Sequence, residues 1–170
     1  MRSTGFQPVH PRKLYAQLLA SESLEERAQA TLDFLCGCTG AAGGCLFLVR
    51  DQGLSPAANS HQSAPSAELL AEAERTWTRE LEAEPEINRT RTVDVVARTQ
   101  PEALLKDMWT SASGVAYVRH VLGTYQGTRW TPVGIALLEA GSRFAPLRHA
   151  YVEVMCNAFI AAGDVPGSAG

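Results

Sequence analysis

The feature that most constrains this chain is a short apolar run with no polar face, Cys45-Leu46-Phe47-Leu48-Val49, inside the stretch AAGGCLFLVRDQGLSPAANS (residues 41–60). A strand whose residues are apolar on both sides has to be covered on both sides, so the run predicts a sheet with helices above and below it. Asp51, Gln52 and Gly53 follow as a polar connection, with Gly53 free to take positive φ, and Leu54 opens a weaker return strand. Together these predict a β-hairpin.

The segments on either side carry helix signals. Arg12 to Ala20 predicts a short helix, after an arm of little pattern over residues 1–11. Ser23 and Glu26 have the spacing of a capping box, worth about 1 kcal/mol when formed. Behind it Leu24, Ala28, Leu32 and Leu35 recur at helical spacing as far as the glycines at 37 to 40. Residues 55–66 (SPAANSHQSAPS) predict a loop. Ser66 predicts the cap of a third helix, running to about Glu84 and stopped by Pro85. Leu70, Ala73, Trp77 and Leu81 mark its apolar side, and Glu68, Glu72, Arg75, Arg79 and Glu82 its solvated side.

Arg89 to Arg98 alternates as a strand, with Asp94 and Arg98 on one face. Thr99 and Glu102 repeat the capping-box spacing and predict a short helix carrying Leu104, Leu105, Met108 and Trp109, broken at Ser111 to Gly114. Val115 to Tyr125 and Arg129 to Glu139 predict a second hairpin around Gln126-Gly127, with Pro132 at a bulge or near the strand start. The last helix is expected from Pro146 to Ala162, ending at Gly163, with a tail over residues 165–170. It is apolar on two sides. One side should meet the sheet, and the other the first long helix, a partner chain, or both.

A chain of 170 residues with 45% apolar content fits one folded domain. The formal net charge of −3 and the lack of a Lys/Arg block speak against nucleic acid as a partner. MRSTGFQPVHPRK lacks a signal-peptide core, and no run approaches the roughly 20 apolar residues of a membrane span. A cytoplasmic protein is expected. Its four cysteines, Cys36, Cys38, Cys45 and Cys156, are then expected as free thiols rather than disulfides or zinc ligands.

The predicted order is helix, hairpin, helix, strand, short helix, hairpin, helix. With Leu32–Leu48 (LDFLCGCTGAAGGCLFL) and Thr131–Phe144 (TPVGIALLEAGSRF), it resembles the GAF domain over residues 12–164. The resemblance implies an α+β fold: a central antiparallel sheet of five to six strands, terminal helices on one face and middle helices on the other. It also implies a non-enzymatic sensory or regulatory role, either binding a small molecule or acting through a protein partner in trans, with a homodimer through the N- and C-terminal helices. The alternatives are a ligand-free dimerisation or adaptor module of roadblock- or PAS-like architecture, and a thiol reductase. The sequence names no cofactor.

No catalytic constellation emerges. Gly37 to Gly44 runs from helix into strand, the reverse of a phosphate loop. The polar strand residues are the candidate ligand contacts. Tyr117 and Arg119 share one strand face, Asp94 and Arg98 share a face of another, and Trp109 is a candidate wall. Arg119 and Arg98 would hold an anionic or polar group. The competing reading is an Asp–Arg cross-strand ion pair with no ligand. His120 points toward the helices and Trp77 into the core; His61 falls in a loop with no evident task.

Overall fold

The computed structural model describes residues 9–50, 53–60, 66–81, 108–140, 144–145 and 147–164. Helix α1 (Pro11–Ala20) starts where His10 Nδ1 accepts from the Arg12 N–H and Pro11 supplies the fixed φ of a first turn. Helix α2 (Leu24–Thr39) is capped as its sequence requires. Ser23 Oγ accepts from the Glu26 N–H at 3.1 Å, and Glu26 reaches back to the Glu22 N–H at 3.0 Å. Gly40, at φ 73°, closes the other end.

Strands β1 (Gly44–Arg50) and β2 (Gly53–Asn59) form the first hairpin, turning at Gly53 with φ 125°. The expected loop therefore begins later than residue 55. Ser55 to Asn59 lie in an edge strand, where Pro56 sits beside a bulge and costs few ladder bonds. Helix α3 (Ala67–Leu81) begins with Ser66 Oγ accepting from the Leu69 N–H.

Strand β3 (Met108–Thr110) corrects the expected short helix: Met108 and Trp109 are extended and pair with Val118 and Tyr117. Three residues are too few to carry a period that separates helix from strand. The predicted strand 89–98 and the residues from Thr99 to Leu105 lie outside the described residues, as does His61. Strands β4 (Ala116–Gln126) and β5 (Arg129–Glu139) make the long hairpin, with Gly127 at φ 66° in its turn. Leu122 faces Gly134 while Gly123 faces Pro132, so Val133 is the extra residue of a bulge next to the proline. The last helix, α4 (His149–Ala161), starts three residues later than its proline suggests.

The fold is α+β. Its sheet has five antiparallel strands in the order β2-β1-β5-β4-β3, with four helices among the described residues. Alternation along the strands sorts the core into two clusters. Leu46, Leu48, Leu122, Ala136 and Leu138 pack with α1, α2 and α4. Cys45, Phe47, Tyr117, Ile135 and Leu137 pack with Leu69 and Ala73 of α3. The bulge turns Val133 toward the three-helix side, out of step with Ile135. Close strand contact at Gly134 needs the missing side chain: a Cβ there would stand 2.3 Å from the Phe47 carbonyl oxygen.

On the three-helix side α2 lies over β1 and β2, α4 over β4 and β5, and α1 rests on α4. The second apolar side of α4 is thus met chiefly by the short α1, while α2 reaches it through Phe34 against Tyr151, ring centroids 5.0 Å apart. Buried Arg27 ties the corner together. It donates to the Leu18 and Ser21 carbonyls and to Asp164 Oδ2 at 2.6 Å, joining the end of α1, the start of α2 and the residues after α4.

Candidate functional site between α3 and the sheet

Along β4 the residues on the α3 side are Tyr117, Arg119 and Val121, alternating with Val118, His120 and Leu122. Trp109 of β3 stands directly opposite Tyr117, with ring centroids 5.7 Å apart. Three of the five residues expected at the site are therefore together. The other two, Asp94 and Arg98, lie outside the described residues.

One partner of Arg119 comes from α3. Its Nη1 donates to Glu72 Oε2 at 2.8 Å, and its Nη2 to the Met108 carbonyl at 3.4 Å. The other carboxylate oxygen of Glu72 accepts from Arg75. Glu72 is completely buried, which corrects its assignment to a solvated face. One turn earlier, Glu68 Oε2 accepts from the Ala112 N–H at 2.6 Å, in the bend between β3 and β4. Two glutamates spaced i, i+4 therefore reach from α3 to the β3–β4 end of the sheet. Their signal was the spacing itself, which on a polar helix face looks the same as solvation.

Tyr117 is 8% exposed, and among the described residues its hydroxyl has no hydrogen-bond partner. Burial pushes the phenol pKa up, and the Glu139 carboxylate, Cys45 and Glu68 push it in the same direction. The group stays protonated and available as a donor. Trp77 packs half-buried against the same cluster, a core position. His120 faces the terminal helices, half-buried, with Nδ1 3.3 Å from the Val121 carbonyl.

The thiols lie elsewhere in character. Burial pushes Cys36, Cys38 and Cys45 up to about 11; Asp33 and Glu139 add to the shift at Cys36, and Arg148 opposes it at Cys38. Cys156 is raised further still, by complete burial and then by Glu153. A thiol needs a lowered pKa to act as a nucleophile near neutral pH. Among the described residues no group of three or more His, Cys, Asp or Glu is placed to hold a metal ion, and no helix is long and apolar enough to cross a membrane.

A concave feature lies between α1 and α4. It is a groove of about 560 Å³ lined by Arg12, Tyr15, Val154, Asn157, Ile160 and Ala161.

Searches against known proteins return no matching family model, no matching curated protein and no matching solved structure.

Proposed function

We propose that this chain is a non-enzymatic, GAF-like sensory or regulatory domain whose small-molecule site is the interface between α3 and the sheet. The observation that carries the reading is Arg119: a cation on the sheet floor, beside the Trp109–Tyr117 pair, closed over by a carboxylate from the covering helix. A few convergent polar groups in a mostly apolar interface are what a small-molecule site is made of. An antiparallel five-stranded sheet with helices on both faces supports the reading. The raised thiols speak for binding rather than nucleophilic chemistry.

A thermal-shift screen of small metabolites tests the reading. A ligand at 100 times its Kd stabilises the protein by about 2.7 kcal/mol. The stabilisation should vanish in Arg119→Ala. A screen without a stabiliser, together with native mass spectrometry showing the bare chain mass, would overturn it.

The groove between α1 and α4 favours a second reading, a ligand-free module that dimerises through its terminal helices. In that case Ile160→Glu should convert a dimer to a monomer in analytical ultracentrifugation, with no ligand found for either form.

A further inference from the structure

Helices α1 and α4 run side by side in the same direction. Tyr151, at the start of α4, donates its hydroxyl proton to the Val9 carbonyl just before α1, and Arg27 ties Leu18, near the end of α1, to Asp164 beyond α4. The groove of about 560 Å³ between them is therefore a furrow along both helices. Val154, Ile160 and Ala161 of α4 and the ring of Tyr15 of α1 give it an apolar lining. Leu19 follows Tyr15 by one turn on the same face of α1, and is one of two large apolar side chains left exposed among the described residues.

The rims of the furrow carry opposite charge. Arg12 stands on the α1 side, on a helix with no acidic residue, and its guanidinium has no ion pair among the described residues. On the α4 side Glu153 precedes Asn157 by one turn; it is exposed, with His149 Nε2 at 3.7 Å on the same helix. The Tyr15 hydroxyl and the Asn157 carboxamide make no hydrogen bond among the described residues, so both are open to an occupant.

We propose that this furrow receives an amphipathic helix of a partner protein, laid along α1 and α4, with an acidic residue over Arg12 and a basic one over Glu153. The proposal is independent of a ligand under α3, and it competes with the dimer for one surface. Shape argues for a single helix. A furrow between two packed helices takes the side-chain ridge of a third. A small molecule needs a pocket that encloses most of its surface, whereas Arg12, Asn157 and Ala161, half of the lining, are exposed. A two-fold dimer sets one patch against itself, so furrow would face furrow and neither copy would supply the ridge. Charge argues for the direction in which the helix lies. Turning it end for end would put its acid over Glu153 and its base over Arg12, and like charges brought together at an interface exclude the wrong arrangement.

A phage-displayed library of helical peptides is the probe, each about 15 residues long so as to span both helices, with leucines at helical spacing and randomised flanks. Selection on the wild-type protein should enrich peptides with an acid on one flank and a base on the other. By calorimetry on the synthesised winners, Arg12→Glu should weaken binding at least about tenfold, and Ile160→Glu at least as much. Selection on Arg12→Glu should bring out a base on the flank where the wild type brings out an acid. Failure to enrich any peptide overturns the proposal. So do winners that bind Ile160→Glu as tightly as the wild type, or flanks that do not change with Arg12→Glu. Leu19→Glu, at an exposed position, replaces Ile160→Glu should that variant fail to fold. A wild-type dimer in analytical ultracentrifugation that Ile160→Glu splits also overturns the proposal: the groove then belongs to a second copy, and the dimer reading stands. The metabolite screen with Arg119→Ala judges the site under α3 separately.

Discussion

Removing the Arg119 side chain leaves Glu72 buried with Arg75 as its remaining partner among the described residues. Breaking a buried ion pair from one side costs about 3–5 kcal/mol. Here Arg75 stays, and it is well exposed, so the low end of that range applies. Arg119→Ala should lose about 3 kcal/mol by urea denaturation, and Glu72→Met with Arg119→Met should recover most of it, since an apolar pair of similar volume needs no charge compensation. A loss in the double variant as large as in the single would mean that the pair contributes more than its own neutralisation. The place of Arg119 beside Tyr117 was legible because strand alternation puts the two on one face. Glu72 was not, because a helix with charge on several sides gives no sign of which carboxylate meets a cation 47 positions away. The expected aspartate, Asp94, lies outside the described residues; the carboxylate seen on Arg119 comes from the helix above.

At the scale of elements, the caps at Ser23 and Ser66 behaved as the sequence demands. Ser23 holds the Glu26 N–H, so Ser23→Ala should cost about 1 kcal/mol, read as a lower thermal midpoint with no change in the circular dichroism of the folded state. A fall several times larger would mean that the cap also fixes the α1–α2 corner beside it. Hairpins at Gly53 and Gln126-Gly127 were readable because a glycine at positive φ separates two apolar runs. Strand β2 was expected from Leu54, but its length was not legible, because Ser, Pro and Ala have little strand propensity; what makes Ser55 to Asn59 extended is the partner strand. Strand β3 was missed for a related reason. Its register is set by Ala116 to Val118 across the ladder, not by anything local to Met108 and Trp109. The bulge at Val133 was announced by its proline.

For the molecule as a whole, the thiols set an upper pH limit. Cys36, Cys38 and Cys45 ionise near pH 11 when folded and near pH 9 when not. Below about pH 9 both states hold the proton, and stability does not depend on these groups. Between pH 9 and pH 11 the unfolded chain releases protons that the folded one retains, so stability falls as pH rises. The thermal midpoint should drop across that interval, and alkylation of the native protein at pH 8 should be slow at all four cysteines. A cysteine that reacts at once would reopen the thiol-enzyme reading.

The corner held by Arg27 has a mechanical side. One guanidinium grips the Leu18 and Ser21 carbonyls and the Asp164 carboxylate, so the chain leaving the last helix is clamped to the turn that joins the first two. A protein fused after Asp164 would be carried on that turn as on a bracket. Its freedom to swivel would depend on side chains far along the sequence from the point of attachment, Arg27 foremost and Arg50 on the Asp164 carbonyl.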